Sequence, residues 1–421
     1  MNHIKSRLII LNFLIFAVWG SYLTSMGNYL AQVNLGPYIF WFYTVQGIVS
    51  LFMPMIMGTL ADRHINPRNL LCICQAMSAI FKFGAFAYCL SATEISFVPL
   101  FILFSLGVAF FIPSIGISNA LTLYLLSNNS NDTAKSFPQV RIFGTIGFIA
   151  AMLIVNFVKI DNMSLQQTSW QLALSALFGL ITAIYTFTLP NSTDENITSA
   201  TTKKSSGYIR LLSERKILIF LIFTFLISVC LQITNSYANV FISSFSKIDQ
   251  YVASWGAENA NALISLSQIS ETLCVLLVPV ALRRFGIKGT VVFAAVAWTL
   301  RFGLLGIGNP GQGVIWFILS MIAYGIAFDF INIAGAIWLD SVADKKSKNR
   351  VQSLFMLVMS GLGATIGTPI AGIVINRFVY NSASISEQLS GWQTSWLIFA
   401  GYAMLIAILA YILFPSYPRR Q

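Results

Sequence analysis

The sequence predicts an all-α integral membrane protein of twelve transmembrane helices in two six-helix bundles. Composition, the spacing of apolar runs and the placement of charge predict it together. Of 421 residues, 57% are hydrophobic, roughly 240, the number that twelve spans of about 20 residues would use. Only 9% are charged, against about 25% in a soluble domain, which excludes a water-exposed globular surface. The mean hydropathy of +0.76 says the same. Too little polar composition remains for disorder, and five cysteines are too few for a disulfide scaffold.

Along the chain the apolar runs fall near 8–31, 38–60, 69–91, 95–126, 140–158 and 169–189, then 216–245, 261–282, 289–307, 312–339, 351–376 and 392–415. That is six, a break, and six. The first run follows Lys5 and Arg7 as a signal peptide would, but it is longer than a signal core and lacks a small-residue cleavage site, so we expect a retained first helix. The break (STDENITSATTKKSSGYIRLLSERK, 192–216) has the composition of a polar linker. The expected organisation is a bundle over 1–190, a cytoplasmic linker over 191–215 and a second bundle over 216–421.

The net charge of +11 reads as topology and calls for no nucleic-acid partner. With the N-terminus in the cytoplasm, 19 of the 25 basic residues lie in cytoplasmic segments, among them Arg63, Arg68, Arg283, Arg284 and Lys288, and only Lys159, Lys247 and Arg377 lie opposite. That asymmetry places both termini inside. Cys72, Cys74, Cys89, Cys230 and Cys274 sit in apolar segments without CxxC spacing, as small core residues. The two histidines, His3 and His64, lie outside the spans, so neither a metal site nor a cofactor is expected.

The halves repeat a local pattern. GTLADRHINPR (58–68) follows the second run and ALRRFGIKG (281–289) follows the eighth, each a short basic turn after a helix. The first resembles the loop motif of the major facilitator superfamily, with Gly58, Asp62, Arg63 and Arg68 in matching places. An ordinary positive-inside loop also accounts for either copy alone. The paired placement with the six-plus-six count favours a two-bundle transporter of the major facilitator fold.

A charge at the centre of a spanning helix costs about 2.5–3.5 kcal/mol on insertion scales, so such charges face a cavity or a partner. Lys82, Arg141, Glu271, Arg301 and Asp329 qualify. Lys82 reads equally as a snorkelling or structurally paired residue. In RIFGTIGF, Arg141, Thr145 and Phe148 share one helix face, while Gly144 and Gly147 leave room for close packing on a neighbouring one. The seventh run carries Ser228, Gln232, Asn235 and Ser236, and the eighth Asn261, Ser265, Gln268, Glu271 and Thr272, both at helical period. The serines read as interhelical glue. Gln232, Asn235, Gln268 and Glu271 offer more, since carboxamides and a carboxylate together bond several hydroxyls. In MIAYGIAFDFINIAG, Tyr324, Phe328 and Asn332 share a face with Asp329 beside them. A carboxyl there is a candidate proton carrier, and a permanent salt bridge of Asp329 with Arg301 or Lys82 is the competing reading.

Flat faces at Phe148, Tyr324 and Phe328 suit a stacked base. With Arg141 alone cationic in this set, a neutral, hydroxyl-rich solute with an aromatic part fits better than a phosphorylated one. A plain sugar fits as well. Here the chain resembles the nucleoside:proton symporters of the major facilitator superfamily, through WGSYLTSMGNYL (19–30), FMPMIMGTLADR (52–63), RIFGTIGF (141–148), LQITN (231–235), SQISETL (267–273), AWTLRFGL (297–304), YGIAFDFINIAG (324–335) and WLIFAGY (396–402). The resemblance implies nucleoside-binding roles for Arg141, Thr145, Phe148, Gln232, Asn235, Gln268, Glu271, Tyr324 and Phe328, and proton coupling at Asp329. It also implies transport without a cofactor, nucleosides and protons as partners, a bacterial inner-membrane location and function as a monomer. The rivals are a proton-coupled sugar or oligosaccharide carrier of the same fold, a polytopic membrane enzyme and a nucleoside receptor. The enzyme lacks a convincing nucleophile, metal cluster or acid pair in the sequence.

Overall fold

The computed structural model describes residues 2–63, 65–129, 133–190, 211–344 and 347–415. The linker residues 191–210 lie outside them, and the side chains of Gly58, Asp62 and Arg63 are likewise outside what is described. The chain divides into two compact units, one of Met1–Tyr38 with Val45–Lys203 and the other of Ile39–Thr44 with Lys204–Gln421. Among the described residues, ten segments are long and apolar enough to cross a membrane, and one of them, Ala260–Ile307, is 48 residues long.

The first part of the chain forms α1 (Asn2–Gly20), α2 (Met26–Gln32), α3 (Ile39–Arg63), α4 (Pro67–Ser91), α5 (Phe97–Asn129), α6 (Thr133–Phe157) and α7 (Trp170–Tyr185). The apolar run expected as one first helix is broken after Gly20. Ser21 returns its hydroxyl to the Ala17 carbonyl at 2.7 Å and Ser25 its own to the Ser21 carbonyl at 3.4 Å, local side-chain bonds that compete with a continuous helix. Close packing of α1 on α6 rests on two glycines. A Cβ on Gly20 would lie 2.3 Å from the Phe148 carbonyl oxygen, and one on Gly147 would lie 2.1 Å from that of Phe13. Asn66 caps α4 by accepting from the Arg68 amide at 2.9 Å, with Pro67 at the first turn. Arg68 then reaches the Leu189 carbonyl at 3.1 Å, tying that loop to the end of the first unit's helices. After α6 a short hairpin pairs Lys159 with Ser164 and Ile160 with Met163. Its turn residues, Asp161 and Asn162, both have positive φ, as a two-residue hairpin turn requires.

The remainder forms α8 (Arg215–Ser244), α9 (Trp255–Glu258), α10 (Ala260–Cys274), α11 (Val278–Ile307), α12 (Val314–Val342), α13 (Lys348–Met356), α14 (Gly363–Ile375) and α15 (Ile385–Leu413). The basic turn expected after the eighth run is carried inside α11. Gly286 takes φ 65° and ψ −178°, a conformation that breaks the helix and that side-chain-bearing residues rarely adopt. Nothing lies within 4 Å of where its Cβ would be, so the backbone, and not packing, calls for glycine there. A π-helical stretch, Leu357–Leu362, carries α13 into α14. Helices α11 and α12 pack along each other, α11 packs on α15, and α10 packs on α12.

Candidate functional site

In the first unit the glycine-lined crossing of α1 and α6 positions the predicted cation and aromatic. The Arg141 guanidinium lies 4.0 Å from the centroid of the Phe16 ring, and a Cβ on Gly144 would strike both side chains, so the stacking depends on that glycine. One helical turn on, Phe148 is buried and meets Trp19 edge to face, centroids 6.0 Å apart at 84°. Thr145 lies on the same helix face, half-buried. Trp19 was not singled out as a site residue, and its ring nitrogen is buried with no partner among the described residues.

Lys82 is completely buried on α4. It donates to the Ser175 hydroxyl at 3.1 Å and sits over two rings, Tyr22 at 4.3 Å and Phe111 at 4.4 Å. Ser175 passes its own proton to the Val18 carbonyl at 2.8 Å. The cation is thus held by aromatic faces and a hydroxyl.

In the second unit α10 and α12 are in direct backbone contact. A Cβ on Gly325 would lie 2.6 Å from the Ser270 carbonyl carbon and oxygen, and the Ser270 hydroxyl donates to the Ile322 carbonyl at 2.6 Å. This contact brings the predicted residues of both helices together. Tyr324 and Phe328 stack nearly parallel, centroids 5.7 Å apart at 6°. Glu271 and Asp329 both lie within electrostatic range of the Tyr324 hydroxyl and of each other. Asp329 is fully buried, and neither carboxylate oxygen has a hydrogen-bond partner among the described residues. The competing salt bridge to Arg301 is therefore not formed: that guanidinium binds Thr234, Ser267 and Ser320 instead.

The polar stripes divide as their chemistry suggests. Ser228 and Ser236 bond carbonyls of their own helix, those of Phe225 and Gln232, and Ser265 and Thr272 do the same toward Ala262 and Gln268. Asn261, read with the stripe of α10, is fully buried and accepts from Asn239 of α8 at 2.7 Å, a helix-to-helix tie. Gln232, Asn235, Gln268 and Glu271 remain half-buried. Of the loop motif, Arg68 alone has a described side chain.

The profile of the family described as "Nucleoside H+ symporter" matches residues 1–419. The chain is 34% identical to the nucleoside permease NupG of Escherichia coli (strain K12) over 412 residues, 96% of this chain and 94% of that protein. To the xanthosine permease of the same strain it is 32% identical over the same shares. Superposed on a crystal structure of the nucleoside transporter NupG it gives a TM-score of 0.86 at 32% identity, covering 99% of this chain and 100% of the other. The fold extends further, to a D-xylose-proton symporter at TM-score 0.68 and 12% identity, covering 98% of each chain.

Proposed function

The chain belongs to the nucleoside H+ symporter family, a family of transporters and not enzymes, with an all-helical fold of the major facilitator kind, and from that premise we propose how it works. It carries nucleosides together with protons across a membrane by alternating access. Arg141, Thr145, Phe148, Gln232, Asn235, Gln268, Glu271, Tyr324 and Phe328 meet the nucleoside: the parallel Tyr324 and Phe328 rings present a stacking face, and the half-buried carboxamides and Glu271 present partners for ribose hydroxyls and base edges. Asp329 takes the proton on the outer side and releases it to the cytoplasm.

One observation carries the reading. Asp329 is a buried carboxyl with both oxygens unpartnered among the described residues, adjacent in sequence to Phe328 of the stacked pair and within electrostatic range of Glu271. A structural acid at membrane depth has a fixed partner, whereas a proton carrier must be free to gain and lose its proton.

The finer architecture follows from chain length. Spans need about 20 residues each, so the 48 residues of Ala260–Ile307, broken at Gly286, serve two crossings, and the 19-residue α1 supplies another. That reading makes twelve crossings in bundles over 1–190 and 216–421, and the even count with the basic residues on one side favours both termini in the cytoplasm. We further propose a monomeric carrier in a bacterial inner membrane with both purine and pyrimidine nucleosides as substrates. The test is a panel of uridine, adenosine and xanthosine uptake in proteoliposomes with and without an imposed pH gradient. Uphill uptake only with the gradient, not displaced by unlabelled sugars, is expected; displacement by sugars overturns the substrate class.

A further inference from the structure

Behind the stacked pair of Tyr324 and Phe328 lies a second buried cation. Arg301 of α11 has no solvent exposure. Its Nε donates to the Thr234 hydroxyl at 3.3 Å, and its Nη1 donates to the Ser267 hydroxyl at 3.2 Å and to the Ser320 carbonyl at 3.0 Å. Ser320 returns its hydroxyl to the Arg301 carbonyl at 2.9 Å. The guanidinium carbon stands 4.6 Å from the centroid of the Tyr324 ring, which also meets Trp298 edge to face at 5.8 Å. One side chain therefore links α8, α10 and α12.

The places it touches share a pattern. Thr234 precedes Asn235, Ser267 precedes Gln268, and Ser320 stands one helical turn before Tyr324. The fork grips the back of the three helices at the residues next to those proposed to meet the nucleoside. Burying a guanidinium without a carboxylate is costly, and packed apolar side chains would join three helices at lower cost. Among the described residues no carboxylate pairs with Arg301, and its Nη2 has no acceptor. What the planar fork gives that apolar packing cannot is a fixed direction for several polar neighbours at once.

We propose that Arg301 is a positioning residue of the nucleoside site: it sets the plane of Tyr324 and the mutual register of Asn235 and Gln268 without touching the substrate. The inference rests on the reading that those three residues meet the nucleoside.

The test measures uridine binding to purified, folded protein, with thermal melting as a control on the fold. Arg301→Met is expected to weaken binding about tenfold, the loss of one desolvated cation–π contact and its attached fork. Arg301→Lys, which keeps the charge and loses the fork, is expected to recover only part of it. In a Tyr324→Ala background the same change is expected to add only about threefold, because the part that acts through the ring is already lost and only the register of Asn235 and Gln268 remains to be disturbed. Should Arg301→Met not fold, Thr234→Val with Ser267→Ala leaves the arginine in place and unties it, and a loss of about threefold is expected. Wild-type affinity in the folded Arg301→Met protein or in the untied pair, or losses that multiply with Tyr324→Ala, overturns the inference. Those outcomes count only while Tyr324→Ala and Gln268→Ala themselves bind weakly; wild-type affinity in these two overturns the site, and the positioning role with it.

Discussion

Replacing Gly147 by alanine places a methyl carbon 2.1 Å from the Phe13 carbonyl oxygen and 2.8 Å from its carbon, where ordinary contact begins at 3.4 Å. The obstacle is the backbone of α1, which has no rotamer to change, so α1 and α6 must part by about 1.3 Å at this point. Overpacking of this kind costs about 1–3 kcal/mol, and alanine's better helix propensity returns roughly 0.5–1 kcal/mol of it. The net is a destabilisation of about 0–2.5 kcal/mol, centred near 1 kcal/mol. The separation also reaches the substrate side, because Phe148 and Trp19 meet across the same crossing, and a radial gap of about 0.5–1 Å forfeits a quarter to a half of a dispersion contact. The assay is thermal melting in detergent paired with uridine binding. Gly303→Ala on α11 is the control, since nothing lies within 4 Å of its Cβ position. Gly147→Ala is expected to melt lower and bind more weakly, and Gly303→Ala to match or exceed wild-type stability. If the two variants behave alike, backbone contact does not hold α1 to α6 and the argument for a rigid Arg141–Phe148 face fails.

Asp329→Asn is expected to abolish proton-driven accumulation while leaving nucleoside exchange down its own gradient, measured by counterflow; undiminished uphill uptake would remove Asp329 from the coupling step. Phe328→Ala removes one member of a nearly parallel ring pair and is expected to weaken nucleoside binding by about 0.5–1.5 kcal/mol, a few-fold to tenfold. Competition by free ribose should stay unchanged, and equal losses for both ligands would argue against base stacking. Lys82→Met keeps volume and removes a fully buried cation with no carboxylate paired to it among the described residues. Such replacements are often neutral or stabilising by about 1–4 kcal/mol, so an unchanged or raised melting temperature is expected, and a marked drop would show that the Tyr22 and Phe111 faces outweigh the burial cost.

What the sequence made legible was whatever expresses itself as period or as cost. Spans showed in runs of about 20 apolar residues, and Arg141, Glu271 and Asp329 stood out because a charge at that depth is expensive. Helix phase then placed Tyr324 and Phe328 together, and the structure stacks them. Partners contributed by distant helices stayed hidden. Nothing local announces that Asn261 bonds Asn239, that Trp19 meets Phe148, or that Arg301 reaches Thr234 and Ser320. Each depends on how two helices cross, and many crossings are compatible with one amphipathic pattern. The break after Gly20 was hidden for another reason. Apolar composition continues through it, and only the hydroxyls of Ser21 and Ser25, bonded back to the Ala17 and Ser21 carbonyls, mark the competing bonds.

The contact of Gly325 with Ser270 makes α10 and α12 a single wall, and Glu271 and Asp329 both ride on it. On the roles proposed above for these two carboxyls, their separation is expected to stay fixed while access to them changes sides. The wall also serves as an internal ruler. Spectroscopic labels on its outward-facing positions, Leu273 and Ile322, should report one unchanging distance in every state of the carrier, against which all other helix movements can be gauged.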